Sequence, residues 1–270
     1  MAQRPPLKPG EKRGLPPAVK LTPKWGQTVT RPVVPTSYAM AKTADNPGLA
    51  SERQRARLVE RLAQQGIADA DVLRAMGLVP RHRFVDDGLA SRAYEDTALP
   101  IGFQQTISQP FVVARSQALA RSHLMTPEGM RSALEVGTGC GYQAAVMSEL
   151  YESVVSVERI PGLHDLAKSN LANWPAGARL RLVLGDGLVD GEPWGPFDVI
   201  VLAAGMSDAP TDLLRQLKVG GVLVAPLGAP DQHLRVIRRL RDNGSSDSGG
   251  FETFTFESVA FVPILRGIQP

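Results

Sequence analysis

One cysteine, Cys140, occurs among 270 residues, which excludes an internal disulfide. That fits a reducing cytosol. No stretch approaches the ~18 consecutive apolar residues of a membrane-spanning helix, and no signal-peptide-like apolar run follows Met1. A cytoplasmic protein without a membrane segment is expected. Only four histidines are present, at 82, 123, 164 and 233, and they are scattered along the chain. They provide neither a Ser/His/Asp constellation nor the spacing of a metal site. His82, in PRHRF, reads as a structural hydrogen-bonder. Hydrophobic residues make up an ordinary 43% of the chain. The length suits one large α/β domain, or a domain with an appendage.

Residues 1–50 differ in composition from the rest. They hold nine of the 22 prolines and eight Lys/Arg against two acids, a net +6. In a chain of net +3, residues 51–270 therefore sum to −3, so the basic character belongs to this extension. It lacks the apolar spacing needed for a core and is expected to be disordered. A solvated extension is favoured over nucleic-acid contact, because only Trp25 and Tyr38 could stack on bases. Order is expected from Ser51, where Ser51 and Gln54 have the spacing of a capping box ahead of a stripe containing Leu58 and Leu62. Asp69 is placed to cap a second helix through Met76.

Glycine carries the first functional signal. Residues 132–136 read as a short apolar strand, Gly137-Thr138-Gly139-Cys140-Gly141 as a turn, and 142–150 as a helix. Glycines let the backbone bend sharply and approach a ligand, while the following helix presents unpaired N–H groups. The third glycine arrives one residue earlier than in the dinucleotide fingerprint, and no phosphate-loop lysine follows. With acidic Glu135 just ahead, this tighter loop suits a nucleoside better than a pyrophosphate. Cys140 reads either as a reactive thiol near a helix N-terminus or as a small packing residue.

Strands and helices then alternate: strands at 153–158, 179–186, 197–204 and 221–226, helices at 162–173 and 211–217. Two final strands, at 233–241 and 251–262, flank the loop DNGSSDSGG. This is an α/β, doubly wound, mostly parallel sheet with N-terminal helices, closed by a hairpin-like pair. In such sheets ligands bind at the carboxyl ends of the strands, beside the topological switch. Glu135, Glu158 and Asp186 occupy three successive strand ends. Glu158 lies 21 residues after Gly137, close to the spacing at which an acid takes ribose hydroxyls. Asp186, followed by open Gly187, can accept from an adenine amino group. A nucleoside cofactor without a phosphate loop points to S-adenosylmethionine. Upstream, Gln104, Gln105, Thr106, Ser108 and Gln109 crowd between apolar stretches and read as a pocket lining. Ser108 also stands where an N-cap belongs, before Pro110, so a cap and a pocket role are both open.

These blocks together resemble the protein-L-isoaspartate O-methyltransferases of bacterial type over about residues 55–268. The matching blocks are VPRHRFV (79–85), AYEDTALPIG (93–102), QTISQP (105–110), LEVGTGCGYQAA (134–145), GDG (185–187), FDVIVLAA (197–204), LKVGGVLVAPLG (217–228) and FVPILRG (261–267). QTISQP is the discriminating block. The resemblance implies a seven-stranded Rossmann-like methyltransferase sheet and a methyl transfer from S-adenosylmethionine to the α-carboxylate of isoaspartyl residues in damaged proteins and peptides. It implies Ser108 as the active-site residue, with Gln105, Thr106 and Gln109 in the substrate pocket. Glu135, Gly137, Thr138, Gly139, Gly141, Glu158, Asp186 and Gly187 are implied to bind the cofactor. Two departures stand out. Phe103-Gln104 replaces a Gln-Gly pair, and Leu202-Ala-Ala-Gly205 replaces Thr-Ala-Ala-Pro.

Overall fold

The strand expected ahead of the glycine loop, β3 (Ser132–Val136), is the point from which the sheet winds both ways. A computed structural model of the chain describes residues 52–125, 131–175, 179–240 and 250–269. Seven strands run in the order β5 (Leu180–Leu184), β4 (Ser153–Glu158), β3, β6 (Phe197–Leu202), β7 (Leu217–Leu227), β8 (Gln232–Arg239) and β9 (Phe251–Val259). The first five of these are mutually parallel, and β8 and β9 return antiparallel. The chain winds outward from β3 through β4 to β5, then crosses back to β6 on the other flank. The switch point therefore lies between β3 and β6.

Periodicity explains the layers. β3 and β6 are buried along nearly their whole length, as strands covered on both faces must be. On one face Ala133, Val199, Val222 and Val224 pack with Leu119, Ala120 and Met147 of the helices. On the other, Leu134, Val136, Ile200 and Leu223 pack with Leu188 and Leu213. The helices are α1 (Glu52–Gln64), α2 (Ala70–Leu78), α3 (Pro110–His123), α4 (Tyr142–Ser148), α5 (Pro161–Leu171) and the short α6 (Thr211–Arg215). Leu58 and Leu62 bury the inner stripe of α1. Asp69 caps α2 by accepting from Asp71 N at 3.0 Å and Val72 N at 3.1 Å, and Arg121 of α3 pairs with the same carboxylate at 2.6 Å. One side chain thus ends a helix and ties it to the next.

Boundaries differ from expectation where packing overrides a local signal. α2 runs through Gly77 to Leu78 rather than stopping at Met76. β7 starts at Leu217 rather than Gly221, because a bulge takes up the glycine pair Gly220-Gly221 and lets pairing with β6 begin earlier. A small two-stranded hairpin, β1 (Leu99–Gly102) and β2 (Gln105–Ile107), lies apart from the main sheet. The expected extension over residues 1–50, the capping role of Ser51 and nearly all of DNGSSDSGG lie outside the described residues.

Candidate active site

At the end of β3 the chain turns through three glycines in the left-handed region: Gly137 (φ 95), Gly139 (φ 56) and Gly141 (φ 89). Residues with a Cβ adopt that region at a cost of roughly 1–2 kcal/mol each, which is why glycine stands there. Gly137 N donates to Val157 O at 2.9 Å, anchoring the loop to β4. Glu158, at the end of β4, is almost fully buried. Its two oxygens accept from Gly139 N at 2.8 Å and Ile160 N at 2.9 Å. A carboxylate offers about four acceptor sites, so capacity remains for a ligand.

Glu135 points into the α3 side of the sheet and is fully buried. Ser156 Oγ donates to Glu135 Oε2 at 2.5 Å, and Thr138 Oγ1 joins Ser156 Oγ at 2.6 Å. Burial pushes the carboxyl up to about 8, against the lowering influence of Ser156 and Gln143. The group is therefore mostly protonated at neutral pH. Glu135 Oε1 and Gln143 Nε2 are both buried without a partner at hydrogen-bond geometry, although Gln143 is near enough to favour the ionised carboxylate. The same physics settles Cys140: burial raises its thiol to about 11, so it is a packing residue and no ready nucleophile.

The structure corrects the capping expectation for Ser108. The N-cap of α3 is Gln109, whose side chain makes no cap hydrogen bond. Asp96 Oδ1, from a distant loop, accepts from Phe111 N at 2.9 Å instead. Capping from afar leaves the Ser108 side chain half-buried at the rim of a cavity of about 620 Å³. Gln105, Thr106, Ser108 and Gln109 line that cavity together with Glu135, Gly137, Thr138, Gly139, Glu158 and Gly187. Two expected residues do not. Gly141 lies beneath α5, where a Cβ would sit 2.7 Å from Leu171 Cδ1. The Asp186 carboxylate turns away and accepts from Leu188 N at 3.0 Å and Gly267 N at 2.9 Å. Next to it, Gly187 alone reaches the cavity.

Several further residues line the cavity without any local sequence signal. Arg115 of α3 forms a two-pronged pair with Glu257 of β9, Nε to Oε1 at 2.7 Å and Nη2 to Oε2 at 3.3 Å. Residues 260–265, following β9, form a wall across the strand ends. The block FVPILRG marked that segment, but nothing in its composition announced a site. His82, read as structural, has Nδ1 2.8 Å from the Tyr94 hydroxyl. Among the described residues no group of three His, Cys, Asp or Glu is arranged to hold a metal.

The donor set fits a nucleoside carrying a methionine. Open glycines line one end, an acid with spare acceptor capacity stands beside them, and a buried carboxyl oxygen without a hydrogen-bond partner lies at the turn. Set at the switch point of a seven-stranded, mostly parallel sheet, these features define a Rossmann-like methyltransferase of the S-adenosylmethionine-dependent class. The model of the Protein-L-isoaspartate(D-aspartate) O-methyltransferase family matches residues 53–269. A protein-L-isoaspartate O-methyltransferase of Bordetella avium is 47% identical over 235 residues, 87% of this chain and 85% of that one. Its counterpart in Aromatoleum aromaticum is 47% identical over 230 residues, 85% of this chain and all of the relative. A Plasmodium falciparum structure described as a protein of this kind, in complex with S-adenosyl-L-homocysteine, superposes with a TM-score of 0.66 at 24% identity. It covers 78% of this chain and 98% of its own. The chain belongs to the protein-L-isoaspartate(D-aspartate) O-methyltransferase family.

Proposed function

We propose that the chain transfers a methyl group from S-adenosylmethionine to the α-carboxylate of L-isoaspartyl residues in damaged proteins and peptides, the first step of their repair. One observation carries the reading beside the family membership: Asp96 caps α3, so the Ser108 hydroxyl is left to face the same cavity as the glycine loop. Glu158 accepts from the ribose hydroxyls with its remaining lone pairs, and the Gly187 backbone lies along the adenine. Glu135 Oε1 faces the methionine ammonium, with Gly137, Thr138 and Gly139 shaping the turn around it. Gln105, Thr106 and Gln109 form the peptide side of the pocket. Asp186, next to Gly187, holds the chain at Gly267.

The sulfonium of the bound cofactor supplies an activated methyl group. An α-carboxylate of ordinary pKa near ~3.5 is already ionised at neutral pH, so the reaction needs no general base. Ser108 donates a hydrogen bond that turns one carboxylate oxygen into line, and the wall of residues 260–265 excludes water. The chain acts as one catalytic unit over 51–270, with residues 1–50 a solvated extension rather than a nucleic-acid arm. A lone, buried, protonated thiol suits the cytoplasm. No helix among the described residues is long and apolar enough to cross a membrane. The test is incubation with labelled S-adenosylmethionine and either an isoaspartyl peptide or its aspartyl twin. Base-labile methyl esters on the isoaspartyl peptide alone are expected; equal labelling of both, or of neither, overturns the reading.

A further inference from the structure

The wall of residues 260–265 is held to the body by contacts of two kinds. Backbone pairing ties its middle: Gly205 N donates to Val262 O at 2.8 Å and Ile264 N donates to Gly205 O at 2.8 Å. Beyond it, Gly267 N donates to Asp186 at 2.9 Å and Arg159 Nε donates to Gly267 O at 2.9 Å, fixing the end to the segments that follow β4 and β5. The beginning of the wall is held by a side chain. Gln232, the first residue of β8, grips Phe261 at both backbone polar groups. Its Oε1 accepts from Phe261 N at 2.8 Å and its Nε2 donates to Phe261 O at 3.2 Å. The primary amide thus imitates a neighbouring strand where none runs.

That grip depends on Gly205, one of the two departures from the family pattern. A Cβ on Gly205 would lie 2.3 Å from Gln232 Nε2 and 2.7 Å from its Cδ. Proline at 205 would fill this space and also lack the N–H that pairs with Val262. Glycine gives both the room and the donor. Gln232 is not in the cavity lining, whereas Phe261 is, so the side chain acts on the site through Phe261. A few residues before Phe261, Glu257 and Ser258 also line the cavity, and Glu257 is paired with Arg115 of α3, the helix that follows Ser108. The acceptor-side wall therefore starts where Gln232 holds it.

We propose that Gln232 is a positioning residue for methyl transfer: using the space left by Gly205, it fixes Phe261 and with it the wall against which the isoaspartyl segment is seated. The proposal rests on the isoaspartyl methyltransferase reading above. Losing the grip frees the acceptor end of the wall, while Asp186 and Arg159 still hold the cofactor end. Peptide binding should suffer and cofactor binding should not.

The experiment compares wild type, Gln232→Ala, Gly205→Ala and the double variant. It measures steady-state methylation of an isoaspartyl peptide, calorimetric affinity for S-adenosylhomocysteine, and melting temperature. Two backbone hydrogen bonds are lost in either single variant, so peptide KM should rise about tenfold, with S-adenosylhomocysteine affinity changed less than about twofold. Both substitutions remove the same grip, so the double variant should be no worse than Gln232→Ala. Gly205→Ala guards against a folding failure of the other variant: its backbone is outside the left-handed region, and the group it displaces is the mobile end of a side chain. Unchanged peptide KM in both single variants of an active wild type overturns the proposal alone. So does a joint loss of peptide binding, cofactor affinity and melting temperature, which marks a general structural role. A wild type that methylates no isoaspartyl peptide removes the functional reading, and this proposal with it.

Discussion

Capping and a pocket role compete for a hydroxyl placed just before a helix, and here the cap falls to another residue. Asp96 satisfies Phe111 N from a distant loop, and Ser108 faces the cavity. The two substitutions should therefore separate cleanly. Ser108→Ala should lower isoaspartyl methylation by about 10- to 150-fold, the kinetic equivalent of one hydrogen bond to a charged group, with its melting curve unmoved. Asp96→Ala should cost about 1 kcal/mol of stability, the usual value of a lost cap. Full turnover in Ser108→Ala, measured at saturating cofactor, would withdraw its orienting role. Glu135 supports a second prediction. Its folded pKa of about 8 lies above the ordinary glutamate value, so the native state holds a proton that the unfolded chain has released. Unfolding then gives up a proton, and stability falls as pH rises from the unfolded pKa toward about 8. Glu135→Gln keeps the shape and removes the titration. Denaturant melts between about pH 5 and 8 should decline less steeply in the variant than in wild type; parallel slopes would refute the buried proton.

At the scale of elements, the β1–β2 hairpin holds a locally unfavourable turn, the one place among the described residues where non-glycine residues take a positive φ. Phe103 (φ 50) and Gln104 (φ 59) both take the left-handed conformation, which two-residue hairpin turns normally give to Asn and Gly. The Phe103 ring lies so close over Gly162, at the start of α5, that a Cβ there would fall 2.1 Å from Cζ. Phe103 thus has a contact to set against its strain. Gln104 is exposed, and its side chain makes no hydrogen bond among the described residues. Gln104→Gly should raise stability by ~0.5–1 kcal/mol, the relief of the left-handed cost less the extra freedom of glycine when unfolded. Thermal melts would read this as a rise of about 2–3 °C, and a fall would show that Gln104 holds an unrecognised contact. The strands and the glycine loop were legible in the sequence because period, length and punctuation agree there. The hairpin and the Ser108 cap were not, because one depends on a turn chemistry that its residues do not advertise. The other depends on Asp96, fifteen residues from the N–H it satisfies. Asp186 illustrates the same limit: its place after β5 was right, but the direction of its carboxylate is set by Gly267, far along the chain.

For the molecule as a whole, the sheet order follows from alternation and the switch point from winding direction, so the location of the site was readable before its walls were. The far wall was not, since residues 260–265 are held at the cavity by tertiary contacts with Gly205 and Gln232. Deleting residues 1–50 bears on the division of the chain. The family match begins at residue 53 and the buried stripe at Leu58, so the shortened protein should keep its melting temperature and peptide turnover nearly unchanged. A drop of several degrees would mean that the extension packs on the body. The three left-handed glycines of the loop have a further consequence at the level of the gene. Every single-base missense change in a glycine codon yields a residue with a Cβ; asparagine is two base changes away, and aspartate, one change from two of the four glycine codons, would set a further acid beside the buried Glu158. Codons 137, 139 and 141 therefore have no easy mutational exit. Random mutagenesis under selection for methylation should return them as a block of silent changes only, however freely the codons around them drift.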